Sequence, residues 1–318
     1  MRGEVFPTDG NPAPAGLTSG ILSTPDGLAL RYARVPASGR PLKGTVIVLP
    51  GRNECIEKYF ETFSELAARG FGSAMLDWRG QGGSARTLKD IQRGHIDRFD
   101  TYVADLDRFF AEIVLPDCRG PYYLLAHSTG ALVALYGAGS FVNRVQRMVL
   151  CAPLLTFAAS RLSTSLVCRI SGLLRMIGLG SIYLGGGRRP ADPADFEGNA
   201  LTTDRARYAR NVAIYTERPE LALGGPTASW VHAACVATEV VMDPEYARKI
   251  RLPVLLVAAG ADTVVSTPAI ERYALRLRSA RCLTIDGARH EILQEADIYR
   301  QQFWAAFDAF VPGSETVY

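Results

Sequence analysis

Ser128 lies in Tyr122-Tyr123-Leu124-Leu125-Ala126-His127-Ser128-Thr129-Gly130-Ala131-Leu132, an apolar run that passes through small residues into a second small-residue run. That order predicts a strand, a tight turn and a helix, with the turn lifting the serine hydroxyl clear of a sheet as a nucleophile. Ala126 and Gly130 stand two residues to either side, where a bulky side chain would clash in such a turn. Glycine is usual at the first of these positions, and alanine stands there here. No other serine in the chain has glycine two residues later.

A serine hydroxyl is a weak nucleophile until a base takes its proton and a carboxylate orients that base. The chain has 4 histidines. His127 adjoins the serine, so its side chain is expected to point away from the reaction and to pack or support. His95 sits in a loop and His232 in a helical insertion. His290, in Asp286-Gly287-Ala288-Arg289-His290-Glu291, follows the last predicted strand and is the expected base. Asp77, Asp262 and Asp286 compete to be the acid. The order serine, acid, base, with acid and base after successive strands, favours Asp262. Asp77 is expected to hold the Arg79-Gly80-Gln81-Gly82 turn, and Asp286 to be a turn residue. An oxyanion hole needs two preorganised N–H donors. Thr129, directly after the serine, offers one. Arg52, after Pro50-Gly51 at the end of an earlier strand, offers the other. His290-Glu291 is followed by Gln294, not by the second histidine of a zinc-binding His-Glu pair, so no metal is expected.

The elements that must carry these groups are legible in the hydrophobic pattern. Gly20–Thr24 and Leu28–Ala33 flank Pro25-Asp26-Gly27, a hairpin signature. Thr45–Leu49, Gly72–Asp77, Tyr122–Leu125, Val145–Cys151, Pro253–Ala258 and Arg281–Ile285 read as further strands. Helical spacing fills the intervals at Ile56–Ala67, around Val103–Ile113, at Thr129–Tyr136 and at Pro268–Leu277, and a last helix is expected over Glu291–Phe310. This alternation predicts an α/β fold with a mostly parallel central sheet flanked by helices, whose strand carboxyl ends gather the working groups. From Leu154 to Met242 the alternation stops. The expected organisation is a lead-in over residues 1–18, a core from 19–153 and 243–318, and a helical cap or lid over 154–242. The first part of that cap is rich in Leu, Ile and Met and is punctuated by Arg161, Arg169 and Arg175.

The chain has 318 residues, 48% of them hydrophobic, enough for a large core. Its 35 basic and 32 acidic residues nearly balance, which argues against a nucleic-acid partner. Met1–Leu17 holds no apolar run of the secretory kind, and no stretch is long and apolar enough to span a bilayer. The expected location is therefore cytoplasmic, with peripheral contact at the inner membrane face left open. The 6 cysteines are scattered without a C-x-x-C pair and are expected to be reduced, mostly core-filling thiols.

Taken together, Leu49-Pro50-Gly51-Arg52-Asn53-Glu54, Asp77-Trp78-Arg79-Gly80-Gln81-Gly82, His127-Ser128-Thr129-Gly130, Gly260-Ala261-Asp262 and Ala288-Arg289-His290-Glu291 resemble the α/β-hydrolase superfamily. Within it they are most similar to the monoacylglycerol lipase and bacterial lysophospholipase group, which includes serine aminopeptidase-like hydrolases. Phe196–Thr202 and Gly225-Pro226-Thr227 also look like that group. The likeness runs from about Gly20 to Phe310, with Ala126 and Trp78 as departures from glycine and histidine. It implies a serine triad with neither metal nor organic cofactor, and a small-molecule acyl-ester or lipid substrate cleaved through an acyl-enzyme. Amide or thioester cleavage by the same triad stays open, with Glu197, Glu217, Glu220 and Glu239 as candidate holders of a substrate amino group. A non-catalytic binding protein that only keeps the fold is the third reading.

Overall fold

The computed structural model describes residues 3–157, 164–189 and 195–312. Eight strands form one sheet: β1 (Thr18–Ser23), β2 (Ala29–Val35), β3 (Gly44–Leu49), β4 (Phe71–Leu76), β5 (Tyr122–His127), β6 (Val145–Cys151), β7 (Val254–Ala259) and β8 (Ala280–Ile285). Their spatial order is β1-β2-β4-β3-β5-β6-β7-β8. β1 and β2 form the expected hairpin, β2 pairs antiparallel with β4, and every pairing from β4 to β8 is parallel. Parallel strands must be covered on both faces, and β3 and β7 are buried at every position.

The longer helices are α1 (Phe60–Ala68), α2 (Phe99–Phe109), α3 (Thr129–Tyr136), α4 (Thr164–Met176), α5 (Arg205–Glu217), α6 (Ala228–Met242), α7 (Thr267–Ala274) and α8 (Asp297–Phe310). α3 is buried along almost its whole length, so its near-absence of polar residues is what its position requires. α4, α5 and α6 all fall between β6 and β7, and α4 packs on α6. Arg161 lies outside the described residues.

Two expectations are corrected. The last helix does not run from Glu291 to Phe310; a turn at Ile292–Gln294 precedes α8. Glu295 breaks it: its buried carboxylate accepts from the Arg289, Ala296 and Thr203 N–H groups and from the Thr203 hydroxyl, which requires extended backbone. The cysteines are not all thiols. Cys168 on α4 and Cys235 on α6 form a disulfide with Cα atoms 5.7 Å apart. They are 67 residues apart in sequence, so only the packing of the two helices brings them together. Cys55 and Cys151 are buried thiols, whereas Cys282 is exposed.

A buried charge cluster fixes the start of the sheet to the loops beyond it. Arg31 on β2 bonds Glu57 at 2.7 Å and Asp77 at 2.6 Å, with all three side chains shut off from solvent. Asp77 also accepts from the Ile56 and Gly83 N–H groups, which is its expected structural role. Removing one member of such a cluster leaves a buried charge without its partner, which costs far more than a surface pair. Arg31→Met should therefore lower the stability of the core by about 3–5 kcal/mol, read from the urea midpoint of the main unfolding transition.

Candidate active site

The sharp turn after β5 is the centre of the site. Ser128 has φ 49° and ψ −110°, a strained left-handed backbone that a non-glycine residue adopts only where its surroundings hold it there. The hold is visible in hydrogen bonds: the Ser128 N–H donates to Cys151 O at 3.0 Å, and its carbonyl accepts from the Leu132 and Leu154 N–H groups. Gly130 permits the fit. A Cβ there would stand 2.3 Å from Leu49 O and 2.7 Å from Pro50 O, so α3 packs against the end of β3 only with glycine at that position. Ala126, by contrast, sits inside β5 in register with Leu49 and Leu150, where its methyl is accommodated in the core.

The structure brings Ser128, His290 and Asp262 into one chain. Ser128 Oγ is 3.1 Å from His290 Nε2, and His290 Nδ1 is 2.7 Å from Asp262 Oδ2. The Asp262 side chain is buried, and the other carboxylate oxygen accepts from the Val264 and Val265 N–H groups. Burial pushes the Asp262 carboxyl up, but the His290 hydrogen bond, the His290 charge and the two N–H bonds outweigh it and hold the group below its ordinary value. An ionised acid is what the imidazole needs beside it. Asp286 is exposed, and no hydrogen bond joins it to His290 among the described residues.

The loop after β3 is clamped from three sides. Trp78 Nε1 donates to Pro50 O at 2.8 Å, and Gln81 Nε2 donates to Gly51 O at 2.8 Å. Glu54 takes the Gly51 N–H. Pro50-Gly51 is thereby fixed on the other side of α3 from β6, and Arg52 follows it into a cavity of about 510 Å³ that Ser128, Thr129 and His290 also line.

Sequence reading missed what lies behind that cavity. The Glu54 carboxylate is buried and accepts from Lys58 Nζ at 2.9 Å and Tyr59 Oη at 2.6 Å, with His127 Nδ1 at 3.2 Å. Lys58 also bonds Glu291 at 2.5 Å. His127 is therefore no bystander: its Nε2 lies 3.1 Å from His290 O, and the two imidazole rings stand 4.8 Å apart. Burial pushes Glu54 up, yet the Lys58 and His127 charges hold it well below the usual carboxylate range. Burial pulls His127 down, and the Glu54 charge and hydrogen bond more than reverse it. The i,i+4 spacing of Glu54 and Lys58 was the available signal, but it does not distinguish this buried pair from a surface one. His95 and His232 lie elsewhere: His95 bonds Thr227 Oγ1 at 3.2 Å, and His232 packs against Gly172. Glu197, Glu217, Glu220 and Glu239 are exposed and line no part of the cavity. No cluster of potential metal ligands occurs among the described residues.

A doubly covered, mostly parallel sheet with a strained serine turn after its fifth strand defines an α/β-hydrolase. Residues 40–297 match the family model described as serine aminopeptidase, S33, and the chain belongs to that family. It is 33% identical over 293 residues to lysophospholipase L2 of Escherichia coli K12, covering 86% of this chain and 82% of that protein. It is 29% identical over 285 residues to a probable lysophospholipase L2 of Haemophilus influenzae, covering 89% and 88%. Among solved structures, a soluble variant of the Saccharomyces cerevisiae monoglyceride lipase superposes with a TM-score of 0.74 at 18% identity, covering 94% of this chain and 97% of that one. The Paleococcus ferrophilus monoacylglycerol lipase does so with 0.70 at 22% identity, covering 89% and 99%.

Glu54 offers a direct test of the buried network. With its folded pKa below the unfolded value, its stabilising contribution is present above about pH 4 and is lost as pH falls through the folded pKa. Glu54→Gln should flatten the acid limb of a stability-versus-pH curve. It should also lower hydrolytic kcat by about 10–100-fold, because the partners that orient the Pro50-Gly51 loop and His290 lose their common acceptor.

Proposed function

We propose that this enzyme hydrolyses carboxylic esters of lipids through an acyl-enzyme, with Ser128 as nucleophile, His290 as general base and acid, and Asp262 as the group that fixes the imidazole. The observation that carries the reading is the continuous chain from Asp262 through His290 to Ser128 at the wall of an open cavity. The lysophospholipase and monoacylglycerol lipase relatives support the ester and the lipid.

In this mechanism Ser128 Oγ attacks the ester carbonyl while its proton passes to His290 Nε2. The new oxyanion is met by the Arg52 and Thr129 N–H groups. The first follows the bound Gly51 N–H in the clamped loop, and the second opens α3, where the helix dipole also favours negative charge. Protonated His290 then gives its proton to the departing alcohol. Water repeats the sequence and releases the acid. Asp262 stays ionised throughout and balances the imidazolium.

The segment 154–242 acts as the cap. Leu154, Phe157, Leu201, Val212 and Trp230 give the cavity apolar walls suited to an acyl chain. The same segment suits contact with a lipid surface. α4 and the turn after it expose Leu166, Leu173, Met176, Ile177 and Leu179, with Arg169 and Arg175 on the exposed side as well. No helix among the described residues is long and apolar enough to cross a membrane, so such contact would be peripheral. An amide reading has less support, because the cavity's carboxylates, Glu54 and Glu291, are both engaged by Lys58 and are not free to hold a substrate amino group.

Two experiments test these readings. Ser128→Ala should lower kcat on medium-chain and long-chain acyl esters by several orders of magnitude and abolish fluorophosphonate labelling. Wild-type turnover that favours acetyl over longer esters would refute a lipid substrate. In vesicle flotation, the protein should co-migrate with anionic vesicles, and Met176→Glu combined with Ile177→Glu should release it.

A further inference from the structure

Arg52 carries a second feature that the reaction above does not use: its side chain. Arg52 is half-buried at the cavity wall, with Nη2 donating to Gly224 O at 2.5 Å and Cζ 5.5 Å from the Trp230 ring centroid. Nε is buried without a hydrogen-bond partner, and no carboxylate pairs with the group among the described residues. Burial lowers this arginine to about 10, an unusual depression for a group that ordinarily stays charged.

A buried cation with an unmet donor is costly unless something pairs with it. The acids of the same cavity do not. Glu54 and Glu291, the carboxylates that line it, are both bound to Lys58. A second guanidinium, Arg189, lines the same cavity over the Tyr215 ring at 4.7 Å, and it too lacks a carboxylate partner among the described residues. Two arginines without a carboxylate partner among the described residues therefore share a cavity with the serine. Guanidinium groups match phosphate oxygens in geometry and charge, and a partly enclosed site strengthens the pairing.

We propose that Arg52, with Arg189 of the same cavity, forms an anion subsite that holds the phosphodiester of a lysophospholipid's leaving group while its acyl ester lies at Ser128. This rests on the lipid-ester reading and sharpens it: the substrate preferred is phosphorylated, and a neutral monoacylglycerol leaves the two cations unpaired. The Arg52 backbone and side chain then serve different ends of one substrate, the N–H meeting the oxyanion and the guanidinium meeting the headgroup.

The test compares 1-octanoyl-lysophosphatidylglycerol with 1-octanoylglycerol, both below their micellar concentrations. In the wild type the kcat/KM ratio should favour the phosphorylated ester. Arg52→Gln, which keeps the backbone N–H, should lower that ratio about tenfold or more, and Arg52→Lys should lower it less. Using the ratio cancels any general loss that the substitution causes in the oxyanion loop. If Arg52→Gln does not fold, Arg189→Gln should move the ratio in the same direction. A ratio unchanged within about twofold in both variants overturns the subsite and leaves Arg52 as a tie to Gly224 and Trp230.

Binding separates this inference from the hydrolytic reading. In Ser128→Ala protein, calorimetry should show about tenfold tighter binding of the phosphorylated ligand, and added Arg52→Gln should erase the difference. Turnover of neither ester by the wild type would sink the proposed function while this binding difference still stood. Equal affinities would sink the subsite alone. Inorganic phosphate that displaces the phosphorylated lipid supports the subsite and marks the free ion as a further occupant. Phosphate that fails to displace it, with the tenfold preference intact, supports a subsite built for the lipid-linked group.

Discussion

The Glu54 carboxylate is the junction on which the site's geometry depends. It is a buried charge that cannot be left unpaired, and its partners come from separate parts of the chain. The Gly51 N–H fixes the loop after β3, Lys58 and Tyr59 belong to the turn that leads into α1, and His127 is the residue before the serine. Lys58 carries the connection on to Glu291, and His127 to His290 O. One acceptor thus coordinates the Pro50-Gly51 loop, the strand that ends before Ser128 and the loop that carries His290. Its demand for partners does structural work that apolar packing cannot do, because dispersion contacts do not select one orientation of a backbone N–H.

The second constraint is backbone strain. Ser128 and Ala152 both have positive φ without being glycine, and they are neighbours in space, since β5 and β6 end side by side. Residues in such conformations cost of order 1–3 kcal/mol each and persist only when surrounding bonds over-determine them. Here the Ser128 N–H is bound to Cys151 O, the Ala152 N–H to Val257 O, and the Leu154 N–H back to Ser128 O. The strain in one strand end is held by the next strand, and that strand by β7. Asp262 follows β7 by a short turn, so the sheet that fixes Ser128 also fixes Asp262.

Most of this was legible before the structure. The strands were recoverable because parallel strands buried on both faces read as continuous apolar runs, and β6 falls on Val145–Cys151 as expected. That Ser128, Asp262 and His290 come together was recoverable because each follows a strand in the same sheet. Three kinds of feature were not. The Glu54–Lys58–Glu291 bridge joins charges 233 residues apart at its longer end, and no local pattern marks a charge as buried. The Cys168–Cys235 bond depends on how α4 meets α6. The break before α8 depends on Glu295 finding Thr203, a residue of the inserted segment. All three are long-range polar or covalent contacts, whereas what sequence periodicity reports is which face of an element is apolar.

The polar ties also divide the inserted segment into two mechanical parts. α5 is bound to the core through Arg207 and Arg210, both on Glu61, which Arg300 of α8 engages as well. Glu295 adds the Thr203 bonds. α4 has no comparable set of ion pairs with the core among the described residues; Arg175 approaches only Asp97, at 3.7 Å, and the disulfide ties α4 to α6 instead. Within the inserted segment the exposed large apolar residues lie on α4 and the turn that follows it, apart from Val236 on α6. An acyl chain entering past α4 would thus meet the part held by apolar contact and one covalent tie, while the side that carries His290's loop stays anchored by charge. Polar anchoring on one side, and apolar contact with one covalent tie on the other, is an arrangement in which α4 can adjust to an acyl chain without moving His290.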